Sequence, residues 1–180
     1  MTDEQLMILV KKGQVEVLGQ LYERYKRVLY SYFIRITTDQ QLSQDLTQNV
    51  FERVLRYKQS FKDDMNVKNW LFQIARNVRT DHFRSKKLPI DDGIEIQALA
   101  HLIQPDKIDY QEQTSKVEYA LQLLKPSYKE ILLLSWYEKL SYQDIAETLE
   151  ISESNVKVRI HRAIGQLRTI LKKKSYEHQS

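Results

Sequence analysis

From Leu140 to Arg162 the chain reads Leu-Ser-Tyr-Gln-Asp-Ile-Ala-Glu-Thr-Leu-Glu-Ile-Ser-Glu-Ser-Asn-Val-Lys-Val-Arg-Ile-His-Arg. This pattern restricts the fold more than any other stretch does, because it predicts two helices joined by a tight turn. Ser141 stands where an N-cap belongs, with Asp144 three residues on as the capping acid. Ile145, Ala146 and Leu149 form a short apolar face. Glu150-Ile151-Ser152 makes the turn, without the glycine often found there. Either Ser152 or Ser154 caps the second helix. After it, Val156, Ile160, Ala163, Ile164, Leu167 and Leu171 recur at three- and four-residue spacing, a stripe that can pack on the first helix. Lys157, His161 and Arg162 then point away from the stripe, within reach of a DNA major groove.

Charge agrees with this geometry. Ser154 to Lys174 holds seven Lys or Arg residues and no Asp or Glu, whereas Asp144 to Glu153 is acidic. Cations on a solvent face attract phosphate; a merely solvated basic helix has the same composition. The formal charge of the whole chain is only +4, but it is unevenly spread. Residues 1–85 carry 14 basic and 10 acidic side chains, residues 86–120 carry 4 and 7, and residues 121–180 carry 10 and 7. Two basic ends therefore flank an acidic middle. The ends can hold nucleic acid, while the middle would not lie along phosphate.

At 180 residues the chain makes one domain or two small ones, and 42% hydrophobic content is enough for real cores. The mean hydropathy of -0.55 predicts a soluble chain. No apolar run reaches the length that spans a bilayer. The start, Met-Thr-Asp-Glu, lacks the basic-then-apolar pattern of a secretory signal. Cysteine is absent, which removes disulfides and thiolate metal sites and fits an intracellular protein.

Taken in order, residues 3–35 read as helical with a break at Gly13. Val17, Leu18, Leu21, Tyr22, Tyr25, Val28, Leu29, Tyr32 and Phe33 make an aromatic-rich core stripe. Thr37-Thr38-Asp39 is a break with a cap. Residues 40–58 form the next helix, burying Leu42, Leu46, Val50, Phe51, Val54 and Leu55 and leaving Asp45, Gln48, Asn49 and Glu52 on or beside an outer face. Tyr57 to Met65 turns the chain, with Phe61 anchoring the loop. Residues 66–84 are helical again, with Leu71, Ile74, Ala75 and Val78 inward. Lys68, Arg76, Arg79 and Arg84, with Phe72 and His82 among them, suit unpaired nucleic acid, since cations attract the backbone and rings stack on bases. Composition equally allows those rings to be core. Residues 85–115 lose the periodicity and are punctuated by Pro89, Asp91-Asp92-Gly93 and Pro105; a linker is expected, with a short local helix near Ile94 to Ile103. Residues 112–137 return to helix through Val117, Ala120, Leu121 and Leu124. Pro126 starts the next one, continued by Ile131, Leu132, Leu134 and Trp136.

Chemistry for catalysis does not assemble. There is no glycine-rich phosphate loop, and four scattered histidines without cysteine make no metal cluster. Asp63-Asp64 and Asp91-Asp92 fall in turn-like sequence, and no nucleophile-base-orienter set can be composed. The expectation is a protein that is not an enzyme and uses no cofactor or metal.

Two separate motifs resemble those of a bacterial RNA polymerase sigma factor of the small, two-domain extracytoplasmic-function group of the sigma-70 family. The first runs from Asp45 to Phe51, then Asn69 to Asn77, then Asp81 to Arg84. The second runs from Leu124 through Ala146, then Asn155 to Ala163, then Leu167-Arg168. Together they cover about residues 5–174, in the family's order and spacing. The resemblance implies an all-α protein of two small helical domains joined by a flexible acidic linker. Residues 1–85 would bind polymerase and the -10 element, residues 86–112 would be the linker, residues 113–174 a helix-turn-helix domain for the -35 element, and residues 175–180 a tail.

Residue roles follow from the same resemblance. Asp45, Gln48 and Phe51 would dock on the coiled coil of the largest polymerase subunit, with Phe51 serving mainly as packing. Lys68, Asn69, Arg76 and Asn77 would capture the melted -10 strand, one of its bases flipped into a loop pocket, with Trp70 packing the loop on its helix. Lys157 and Arg162 match the main DNA-facing positions of the second domain, with Ser154, Asn155, Arg159 and His161 as further -35 contacts to phosphate or base edges. That domain would also touch the flap of the second-largest subunit. The linker would thread the polymerase toward the RNA exit path. Promoter DNA, core polymerase and an anti-sigma factor are the implied partners. The implied location is the cytoplasm, with tethering near the membrane where the anti-sigma partner sits there. Asn49 stands where an acid is common, so one polar contact to polymerase differs. Val158 occupies a position often small and polar, and is not among the expected base-reading residues. The linker leaves no room for a middle domain.

Two other readings compete. A helix-turn-helix regulator would bind duplex without being a polymerase subunit, but it has no need of a second surface suited to single strands in residues 69–84. A sigma-like adaptor without promoter binding is opposed by the basic helix at 154–174.

Overall fold

The computed structural model describes residues 1–84 and 116–177, and all regular structure among them is helical. They fall into two compact units, one on each side of the undescribed stretch. The expected linker at 86–112 and the short helix near Ile94 to Ile103 lie outside the described residues.

The N-terminal unit begins with α1 (Asp3–Lys11), closed by a capping box in which the Gln5 amide donates to Thr2 Oγ1 and the Thr2 amide to Gln5 Oε1. Gly13 turns the chain with φ +101°, a conformation that suits glycine, and a short 3-10 turn at Val15–Val17 leads into α2 (Leu18–Thr37). Thr38 ends α2 in the left-handed region at φ 57°, its amide bonded to Ile34 O. Asp39 then caps α3 (Gln40–Arg56) by accepting from the Leu42 amide, so break and cap fall where the sequence places them. A 3-10 turn, Lys58–Ser60, and a loop precede α4 (Val67–Arg84).

Rings join these helices. Tyr22 of α2 meets Phe51 of α3 edge-on at 5.0 Å between centroids, and Tyr32 of α2 meets Phe72 of α4 at 5.3 Å. Such pairs add about 0.5–1.5 kcal/mol each beyond the area they bury. Phe61 lies edge-on to Trp70 at 5.3 Å, which anchors the loop to α4 as expected. The loop is also fastened to α1. Lys11 Nζ donates to Phe61 O and to Asp63 Oδ1, Gln59 Nε2 donates to Lys11 O, and the Val67 amide reaches Glu4 Oε1.

The C-terminal unit holds α5 (Lys116–Gln122), α6 (Pro126–Leu132), α7 (Tyr142–Leu149) and α8 (Glu153–Glu177). Pro126 opens α6 as the sequence predicts. Leu133–Tyr137 continues α6 as a wider π turn, and Lys139 reverses the chain at φ 54°. Val117 and Trp136, named with the apolar residues of these helices, are 39% and 40% exposed, and Leu133 is buried. The backbone of α8 runs past the expected domain end at Lys174, as far as Glu177.

Candidate nucleic-acid interface

The helix pair takes its geometry from its caps. The Asp144 amide donates to Ser141 Oγ, while the Ser141 amide and hydroxyl both donate to Asp144 Oδ2. Glu150 occupies the left-handed turn position at φ 55°, ψ 45°, with its amide bonded to α7 carbonyls. A glycine would adopt this conformation without strain, so the turn forms at some cost. Ser152, rather than Ser154, caps α8, since Ser152 Oγ accepts from the Asn155 amide at 3.2 Å.

Val156, Ile160, Ala163 and Leu167 are buried on α5, α6 and α7, which turns the opposite side of α8 outward. Ser154, Asn155, Lys157, His161 and Arg162 are all exposed there, and Arg159 is half-buried with its Nε donating to Asn155 Oδ1 at 3.0 Å. With a residue step of about 100°, Ser154, Asn155, His161 and Arg162 share one face, while Lys157 and Arg159 fall on its two flanks. The described side chains from Ser154 to Lys173 include no carboxylate. The whole expected -35 set is thus brought onto one exposed helix. Val158, which the sequence places outside the base-reading set, is 46% exposed at the centre of that face.

The expected -10 set is less uniform. Asn77 is exposed, and Lys68 and Arg76 are half-buried. Asn69 is only 4% exposed and cannot present its side chain to a strand in this arrangement; its amide takes the Asn66 cap at the start of α4. Phe72, grouped with the cations in the sequence, is fully buried against Tyr32. Phe83, in the last turn of α4, is 64% exposed and edge-on to His82. The exposed part of α4 is its C-terminal end, where Asp81, His82, Phe83 and Arg84 are all exposed and Asn77 is exposed one turn before Asp81, while Arg76 is half-buried. Lys68 Nζ sits 6.0 Å from the Phe72 ring centroid, and Arg79 Nη1 donates to Tyr32 OH.

On α3, Asp45 and Gln48 are exposed one turn apart, accepting from Gln41 and donating to Glu52 respectively. Phe51 is fully buried. This agrees with the packing role expected for it: the ring holds α3 to α2 beneath the surface that carries Asp45 and Gln48. Asn49 accepts from Arg53 Nε, and the same guanidinium reaches Asp81 Oδ2 of α4 at 2.6 Å. The Asn49–Arg53 spacing is legible in sequence as a helical pair, whereas the Arg53–Asp81 link has no local signal.

The described residues contain no group of His, Cys, Asp and Glu fit to hold a metal ion, and no helix long and apolar enough to cross a membrane.

Comparison with known proteins places two family models on the chain. Sigma-70 region 2 matches residues 21–88, and Sigma-70, region 4 matches residues 114–167. The ECF RNA polymerase sigma factor SigM of Bacillus subtilis is 28% identical over 155 residues, covering 85% of this chain and 94% of SigM. The ECF RNA polymerase sigma factor SigX of the same organism is 29% identical over 160 residues, covering 85% and 82%. Among solved structures, CnrH in complex with the cytosolic domain of CnrY superposes with a TM-score of 0.71 at 22% identity, covering 95% of this chain and 97% of that one. The sigma factor RpoE of Bartonella quintana, solved with the anti-sigma factor NepR, gives 0.66 at 23% identity, covering 86% and 96%. These two likenesses support the fold.

Proposed function

Since the chain belongs to the extracytoplasmic-function group of sigma-70 family RNA polymerase sigma factors, we propose that it reads the -35 element as duplex with α8 and captures the opened -10 strand with α4. Directing polymerase to promoters is the general work of such a factor and is not catalytic. The observation that carries the finer reading is the outward side of α8, exposed, cationic and free of carboxylates among its described side chains, set by a capped turn over a buried apolar stripe.

The roles divide by position. Lys157 and Arg159, on the two flanks of the face, suit phosphates on either side of a major groove. Ser154, Asn155, His161 and Arg162, between them, suit base edges. In the N-terminal unit, Arg76, Asn77 and Arg84 supply polar and cationic contacts for a single strand, and Phe83 a ring for stacking. Flipping one base costs a few kcal/mol, which those contacts offset. Asp45 and Gln48 form the polar surface for the coiled coil of the largest subunit. The C-terminal unit meets the flap of the second-largest.

Residues 1–85 and 113–174 act as the two binding domains. The acidic 86–112 stretch joins them without competing for DNA, and would pass toward the RNA exit path. Two weak interfaces on one tether gain through effective concentration. The solved relatives were captured with the cytosolic domain of CnrY and with the anti-sigma factor NepR. By analogy this chain works in the cytoplasm and is held inactive by an anti-sigma partner, near the membrane where that partner is anchored there.

Run-off transcription with purified core polymerase, this protein and a genomic DNA library tests the proposal. Discrete start sites sharing two spaced elements are expected. No initiation at any promoter, with tight specific duplex binding by the protein alone, would replace this reading with the helix-turn-helix regulator.

A further inference from the structure

We propose that Val158 reads a thymine in the -35 duplex through its C5-methyl group, an inference that rests on the assignment of α8 to that duplex.

Val158 lies on the side of α8 opposite the buried Leu167, nine residues on, and so at the middle of the outward face. Ser154 and Arg162 stand one turn before and after it, and Asn155 and His161 three residues to either side. All four are polar and exposed; Val158 is the apolar residue in their midst, with 46% of its surface in water. A lone exposed valine is ordinary on a protein surface. Here it holds the position on the helix that comes nearest the floor of a groove when Lys157 and Arg159 engage the walls. An isopropyl group can neither donate nor accept a hydrogen bond, so it cannot distinguish bases by polar pairing. The C5-methyl of thymine is the apolar group that base pairs present in the major groove. Charge supports this occupant over a protein one: cations on both flanks, and no described carboxylate on the helix from Ser154 to Lys173, favour a polyanion. The stiff, β-branched side chain has little rotamer freedom to lose on contact.

The test uses holoenzyme assembled from core polymerase and the full chain. Selection on promoters with a randomised -35 region first defines the preferred bases. Each preferred thymine is then replaced by deoxyuridine, which deletes the methyl and leaves pairing intact. Wild-type protein should lose about fourfold in open-complex formation at one such position, the equivalent of one methyl group removed from water. Val158→Ser should lose the thymine preference there and bind thymine and deoxyuridine alike. Val158→Thr, which keeps one methyl, should fall between the two. All three proteins should keep the other selected bases and the same thermal melt.

Sequence-selective holoenzyme that is indifferent to the methyl at every thymine would overturn the inference and leave the proposed function standing. So would methyl discrimination that survives in Val158→Ser. Loss of core-polymerase binding in Val158→Ser, without any methyl effect, would reassign the residue to a protein contact. Holoenzyme with no -35 preference at all would remove the underlying reading together with this one.

Discussion

α4 and α8 have similar credentials in sequence: both are amphipathic, basic and studded with residues that suit DNA. The fold uses them differently. α4 is enclosed by α1, α2 and α3, so its first half is committed to packing: Trp70 lies against Phe61, Phe72 against Tyr32, and Asn69 is inside. Only its second half is open. α8 is supported along one side and leaves the other wholly outside. Residue type alone does not distinguish an exposed ring from a ring that fills a core; both helices have three neighbours, but those of α8 lie along one side, whereas those of α4 surround its first half.

Phe72→Ala should have the largest effect. As a core ring it should cost the N-terminal unit about 3–5 kcal/mol, read from the fluorescence of Trp70, the tryptophan of that unit. An unchanged melt with impaired single-strand capture would return Phe72 to the surface. Next in size, Arg162→Ala should weaken -35 promoter binding by about 1–3 kcal/mol with core-polymerase affinity unaltered. Asp45→Ala should do the reverse. Equal effects of both variants on DNA and polymerase would erase the division of labour between the units.

A smaller effect comes from the turns. Left-handed conformations are held by Thr38 in the N-terminal unit and by Lys139 and Glu150 in the C-terminal unit. Thr38→Gly and Glu150→Gly should each stabilise their own unit by about 1 kcal/mol, measured by denaturant unfolding followed at Trp70 and at Trp136. A loss of stability at Glu150→Gly would mean that the glutamate side chain contributes more than its backbone strain costs.

Alkaline pH should separate the units most finely. Burial, then the hydrogen bond to Asp3, raises the Tyr25 phenol above its ordinary 10.0. The folded N-terminal unit therefore keeps a proton that the unfolded chain releases, and its stability falls as pH climbs beyond about 10. Burial lowers the Lys129 ammonium from 10.5. There the unfolded chain keeps the proton longer, so the C-terminal unit gains stability as pH rises through the lowered folded value toward 10.5. Melts at Trp70 and Trp136 should shift in opposite directions; parallel shifts would refute one of the two assignments.

The helices, their caps and the helix pair were legible because each rests on local pattern: Asp39, Pro126, Ser141 with Asp144, and the Val156-to-Leu167 stripe. What escaped depended on partners distant in sequence. Nothing near Phe72 indicates that Tyr32 covers it, nothing near Arg53 indicates Asp81, and nothing near Asn69 announces its burial. Val158 was named in the sequence and set aside because it is apolar; its central place among polar residues emerges once they are placed in space.

The ties between α1 and the loop before α4 bridge some fifty positions of chain. Whatever displaces the opening helix, such as a fused purification tag or a clipped leading segment, also releases Phe61 and Asp63 and loosens the doorstep of α4. Preparations that differ only at their first few residues should then differ in how well they hold an unwound promoter, while gripping the paired upstream box equally.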